Sequence, residues 1–270
     1  MGTITSFNEK ENLKNNFIVS EKVNNIQFKN SKIIFKGENN YVFLDKDAQL
    51  TNTTVTFHGN NSVLYIKKTR NNKIDLKATL YNHSFLFFDE GCSFNKSLFV
   101  IASEAKDIMI GKDVMFSSGC WIRNSDVHMI YDKQQERINE SKSILIGDHV
   151  WVGQDVSILK GTCIGSGAIL GLESIVAKRV KSNSINVGNP LKQIKENVFW
   201  DRQSSHFFTE EETKQHRFYE DDPSLFMFSG TNNLKKWQDI ISKKPNFVNA
   251  SEIKTFINRI TKLQPLIITN

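Results

Sequence analysis

The chain has little with which to tie itself together covalently. Its three cysteines, Cys92, Cys120 and Cys163, are an odd number with no paired short spacing, which argues against a disulfide framework or a zinc cluster and suits a reducing compartment. They read as core fillers. No apolar run approaches the roughly 20 residues needed to cross a bilayer, and the opening MGTITSFNEKENLKNN has no apolar stretch of the secretory kind. A cytoplasmic protein without a membrane span is expected. Long basic runs and interleaved basic and aromatic residues are also missing. Although the net charge is +6, nucleic acid is therefore not the expected partner. A phosphorylated cofactor or an anionic polymer would account for the same imbalance.

What is present is a rhythm. Residues 146 to 181, IGDHVW VGQDVS ILKGTC IGSGAI LGLESI VAKRVK, divide into six consecutive hexads. Ile146, Val152, Ile158, Ile164, Leu170 and Val176 open them, and Val150, Val156, Thr162, Ala168, Ser174 and Val180 hold the fifth place. A helix repeats its apolar face near 3.6 residues and a simple strand near 2, so a period of six fits neither. It fits a solenoid of short flat strands, each sending one aliphatic side chain inward, with a small residue at each corner and about three hexads to a triangular coil. Residues 110 to 127, IGKDVM FSSGCW IRNSDV, carry the same grammar.

Ile146 follows Ile110 by 36 residues, twice the plain coil of about 18, so a loop is inserted between them. Its polar content, DKQQERINESK, places it in solvent. Upstream, FKGENNYVFL, FHGNNSVLYI and TLYNHSFLFF begin at residues 35, 57 and 79, a spacing of 22; they read as wider coils of the same solenoid, with a separate β-sandwich as the alternative. After Asn189-Pro190 the rhythm stops, and residues 209–219, 232–242 and 251–263 read as helices. The last has Ile253, Phe256, Ile257 and Ile260 on one face and Ser251 as its expected cap. The expectation is a mainly β chain in three regions: irregular N-terminal coils (1–109), a regular hexapeptide-repeat β-helix with a loop at 123–143 (110–198), and a small helical C-terminal extension (199–270). That extension could cap the solenoid, bridge subunits or hold an acceptor.

The ordered set IRNSDVHMIYD, RIN, IGDHVWVGQDVSILKGTCIG and VGNPLKQIKENVFWDR, over about residues 105–202, resembles the hexapeptide-repeat acyltransferases. Within them it is most similar to the O-acetyltransferases of bacterial capsule and surface polysaccharides. The resemblance implies a left-handed parallel β-helix, a homotrimer with active sites between subunits, and acetyl-CoA as donor. It also implies that His128 is the general base. Imidazole, with an ordinary pKa near 6.5, suits removal of a hydroxyl proton as the alcohol attacks a thioester. A carboxylate would orient the ring, and Asp126 and Asp132 are both candidates, Asp126 being preferred for its place in the hexad.

Trp151 matches the tryptophan of the family's HVW stretch and implies a place beside donor or acceptor. Asn189, Pro190 and Lys192 match the family's cofactor turn, which extends to Lys178 and Lys195 as phosphate contacts. Gly153 and Gly171 match positions at which pantetheine would lie along the coil. Two departures stand out: Glu173 occupies a usual glycine, and Val127 replaces the glycine before the histidine. No metal is expected, because the regular coils hold only His128 and His149, the latter reading as a solvated side chain, whereas a γ-type carbonic anhydrase needs three histidines. The expected activity is O-acetylation of a polysaccharide or oligosaccharide by direct attack, without an acyl-enzyme. N-acetylation of a nucleotide-linked amino sugar, or a non-catalytic scaffold in polysaccharide assembly, stays open.

Overall fold

In the computed structural model, which describes residues 2–20 and 25–269, the chain winds into a three-sided parallel β-solenoid. Residues 21–24, within the expected wide coils, lie outside this description. Among the described residues the sides are sheets of eight, seven and six strands, with a further three-stranded sheet, Gln27–Lys29, Gln49–Thr51 and Lys73–Ile74, in the wide coils. Strand neighbours are one coil apart. Val63 lies opposite Phe85, a step of 22 residues; Ile110 lies opposite Ile146, a step of 36; and Ile146 lies opposite Ile164, a step of 18. The wide coils, the inserted loop and the plain hexads thus form one stack rather than a β-sandwich and a helix.

One register differs from the sequence alignment. On the eight-stranded side Phe57 faces Leu80, not Thr79. A strand alternates its side chains with period two, so the one-residue shift keeps Leu80 in the core and turns Thr79 outward. Inside the prism one apolar column follows another: Ile33, Val55, Ala78, Val100, Ile122, Ile158 and Val176 ascend the eight-stranded side. The corners need left-handed backbone, and asparagine takes many of them in the wide coils: Asn39, Asn61 and Asn72 have φ of 56°, 59° and 56°. Its short polar side chain tolerates that region better than other side chains do.

The C-terminal extension is exposed in its first part, where its first helix buries no residue, and packs along one side of the solenoid in its last two helices. Helices α1 (Glu210–Gln215), α2 (Leu234–Ser242) and α3 (Ala250–Thr261) follow the solenoid. Leu234, Trp237 and Ile241 of α2, with Ile253, Phe256, Ile257 and Ile260 of α3, pack onto the outer side of the seven-stranded sheet through Tyr41, Phe43, Phe85, Phe87, Met109 and Leu145. The cap of α3 is Asn249, which accepts from Glu252 N at 3.0 Å, not Ser251, which lies inside the helix. An asparagine two residues earlier satisfies the same orphan amide. Among the described residues no helix is long and apolar enough to cross a membrane.

Candidate active site

The inserted loop leaves the eight-stranded side after Trp121–Arg123 and returns to the seven-stranded side at Ile144–Ile146. Its neck is closed by Lys142 N donating to Asn124 O at 3.2 Å, and Asn124 is itself fully buried, with Nδ2 donating to Lys106 O at 3.1 Å. Beyond the neck the two limbs pair: Ile138 N donates to Ile130 O at 2.9 Å, and Tyr131 bridges Arg137. Arg137 reaches back to Glu104 at 2.7 Å. The loop is therefore an ordered hairpin, yet Met129, Ile130, Tyr131 and Ile138 stand exposed on it.

His128 is exposed on the outgoing limb. Its amide donates to Asp126 O at 2.8 Å, closing a three-residue turn around Val127, whose φ is +71°. A glycine would adopt that backbone freely; a β-branched residue there is strained. The two candidate orienting carboxylates have other partners. Asp126 is gripped by Lys160 Nζ and accepts from Asn139 Nδ2 at 3.1 Å. The lysine beside it holds its carboxyl below the usual carboxylate range. Asp132 accepts from Gln134 N at 2.9 Å and Glu136 N at 3.0 Å, which shapes the hairpin tip. Among the described residues no hydrogen bond joins the His128 ring to either.

Asn139 and Lys160 were not singled out from the sequence as functional residues. Asn139, 6% exposed, donates to His128 O at 2.7 Å and accepts from Ile130 N at 2.8 Å, and Lys160 donates to Asn139 O at 2.9 Å. Lys160 is 34 residues from Asp126; only coil stacking brings them together, so no local pattern could have paired them.

All the cofactor candidates but Lys178 occupy the third side. Trp151 points outward from the six-stranded sheet, 39% exposed, with its ring 5.8 Å from that of Trp200. An antiparallel hairpin, Ser184–Val187 with Lys192–Glu196, ends that sheet and carries Asn189 and Pro190 at its exposed turn. Lys181 is tied to Glu196 at 3.0 Å, whereas Lys178, Lys192 and Lys195 are exposed and enter no ion pair among the described residues. The ammonium groups of Lys192 and Lys195, on the hairpin that carries this turn, fit a phosphorylated carrier, whereas Lys178 lies two residues past Val176 of the eight-stranded side, one coil above Lys160. Glycine at 153 and 171 has a nearer reason than ligand access: a Cβ would meet Leu170 O at 2.6 Å and Val187 Cγ1 at 2.6 Å. Their amides are also already bonded, to Leu170 O at 2.9 Å and Asn186 O at 2.8 Å. Glu173, at φ +56°, sits exposed at a stacked corner. Within one protomer, His128 emerges where the eight- and seven-stranded sides meet, while Gly153, Gly171 and the hairpin belong to the six-stranded side and its far corner.

His149 corrects its sequence reading. It is 3% exposed, bonds Asp113 through Nδ1 at 2.7 Å and Trp200 O through Nε2 at 2.9 Å, and stacks between Trp200 and Phe226. Arg202 donates to the same Asp113 at 2.9 Å. The cluster latches the segment after the hairpin onto the solenoid. The cysteines are buried; burial pushes the Cys120 thiol up to about 11 and raises Cys163 as well.

No protein-family model matches the chain. It is 34% identical over 185 residues to the polysialic acid O-acetyltransferase of Neisseria meningitidis, covering 68% of this chain and 85% of that protein. Among solved structures, the polysialic-acid-specific acetyltransferase NeuO superposes with a TM-score of 0.61 at 31% identity, over 75% of this chain and 93% of that one. The polysialic acid O-acetyltransferase OatWY gives 0.58 at 28% identity, over 75% and 100%.

Proposed function

The chain belongs to the hexapeptide-repeat acetyltransferases, with polysialic acid O-acetyltransferases among its relatives, and we propose that it moves acetyl from acetyl-CoA to a hydroxyl of a bacterial capsular or surface polysaccharide. The observation that carries this reading is the exposed His128 on a loop braced to a rigid prism, with the unpaired Lys192 and Lys195 and the exposed Trp151 on another side. Acetyl-CoA supplies an activated carbonyl on a thiol leaving group. The imidazole of His128 takes the hydroxyl proton as the sugar oxygen bonds to that carbonyl carbon; the C–S bond breaks, and the proton passes on to the departing sulfur. Buried thiols with raised pKa are poor nucleophiles, which supports direct transfer without an acyl-enzyme.

The base and most of the cofactor set, Trp151, Asn189, Pro190, Lys192 and Lys195, lie on different edges of one protomer, with Lys178 alone on the His128 corner, and apolar side chains crowd the exposed loop. Both features support a homotrimer in which a neighbour completes each site. Lys178, Lys192 and Lys195 would hold phosphates, Asn189 and Pro190 would border the adenine, and Trp151 would cover the thioester arm. The Asp126 carboxylate acts on the side chains of Asn139 and Lys160 rather than on the ring.

The experiment is CoA release from acetyl-CoA with polysialic acid and a panel of purified capsular polysaccharides. Histidine-dependent release with at least one polymer is expected. Equal release by His128→Ala, or release only with amino-sugar nucleotides, overturns the reading. Mixing inactive His128→Ala with inactive Trp151→Ala subunits under exchange tests the shared site, since mixed assemblies are expected to regain activity.

A further inference from the structure

The turn beneath His128 has a cost that its own side chains do not offset. Val127 holds φ +71° while its side chain is 59% exposed, so no packing around that side chain enforces the conformation. A β-branched residue persists in such backbone only where surrounding structure over-determines it. We propose that Asn139 is the positioning residue that holds this strained turn, and through it aims His128, with Lys160 as its brace from the neighbouring coil. The inference rests on the reading of His128 as the base.

The geometry is specific. One carboxamide spans the turn: Nδ2 donates to His128 O at 2.7 Å and to Asp126 Oδ2 at 3.1 Å, while Oδ1 accepts from Ile130 N at 2.8 Å. Two acceptors face the nitrogen and an N–H faces the oxygen, so the orientation of the amide is set by its partners. The backbone is thereby fixed at positions 128 and 130, and the side chain at 126. Asn139 is 6% exposed, so these bonds form largely away from competing water. Lys160 then ties the whole to the prism, donating to Asn139 O at 2.9 Å and gripping the Asp126 carboxylate. Ser125 Oγ adds an acceptor for Val127 N at 3.0 Å, within the turn itself.

This arrangement makes a prediction about coupling that a merely structural asparagine would not. Without the amide, Val127 can relax out of positive φ and carry His128 away from its aim. A glycine at 127 has no such preference and can stay. Asn139→Ala is therefore expected to lower kcat for CoA release with the accepted polysaccharide by about tenfold or more, leaving KM for acetyl-CoA within about twofold. Val127→Gly alone should lie within about threefold of the wild type, and the double variant should regain several-fold over Asn139→Ala. If Asn139→Ala does not fold, Lys160→Gln, which removes the brace from outside the loop, is expected to show the same loss and the same recovery with Val127→Gly. Unchanged kcat in Asn139→Ala, or losses that simply multiply in the double variant, overturns the proposal. His128→Ala run alongside separates the two readings. Full activity there sinks the assignment of the base, whereas a dead His128→Ala beside a normal Asn139→Ala sinks only the positioning role.

Discussion

The coils from Ile144 to Val180 and the loop from Ser125 to Ser141 adjoin in the chain and are held by different means. In the coils the short strands stack in register, as Ser157 lies between Trp121 below and Ile175 above, and the apolar column is shared by the whole stack. No single contact decides the shape. In the loop a handful of side-chain bonds, from Asn139, Lys160, Glu104 and Arg137, carry the conformation, and its apolar side chains find no cover in the protomer. A solenoid can be rigid by repetition, whereas a site grafted on it depends on particular residues.

The sharpest way to break that contrast is in the loop. His128→Ala should lower kcat by roughly 10²- to 10⁴-fold with the unfolding midpoint unchanged, because an exposed ring contributes little to packing. A drop in stability of similar weight would erase the distinction. In the stack the opposite is expected. Phe116, fully buried and packed between Phe88 and Phe94, should cost about 3–5 kcal/mol of stability as Phe116→Ala. Denaturant unfolding measures it, and what activity survives should retain the wild-type KM for acetyl-CoA.

A smaller effect concerns a buried corner carboxyl. Burial raises Asp148 to about 6, although its oxygen accepts from Lys112 N at 2.8 Å. A folded pKa above the unfolded value means that the native state binds the proton more tightly. This group therefore favours folding fully below about pH 4, and that contribution is lost as pH rises through about 6. Asp148→Asn keeps the acceptor and removes the charge. It should gain on the order of 2 kcal/mol above pH 6 and nothing below pH 4; a gain independent of pH would contradict the mechanism. The smallest effect belongs to the loop brace. Asp126, depressed by Lys160, contributes above its ordinary unfolded pKa, and the contribution is lost as pH falls through its lower folded value. Hydrogen-exchange protection of the amides of His128 and Ile130, taken relative to the intrinsic rate at each pH, should fall only in that acid range, while amides of the hexads stay protected.

Much of this was legible in the residues. The period of six gave the prism, the 36-residue step from Ile110 to Ile146 gave the loop, and the face of Ile253, Phe256, Ile257 and Ile260 gave the last helix. The misreading of His149 has a physical cause. His149 looked solvated because nothing near it in sequence foretells that Trp200 and Phe226 fold back over it. The side on which the tail packs has a signal in the strands themselves. Strands of the covered side are apolar throughout, as in Phe85–Phe88, whereas Leu76–Leu80 on an uncovered side alternates with Lys77 and Thr79. Continuous apolar strands are buried on both faces.

Repetition is local information, since each hexad states its inward residue and its corner within a few positions. The sequence by itself therefore determined the coil, its core and the place where the rhythm breaks. Stacking is not local. Which lysine reaches Asp126, which asparagine closes on His128 and which side the helices cover depended on coils separated by tens of residues coming to lie one above another, and only the tertiary structure could decide them.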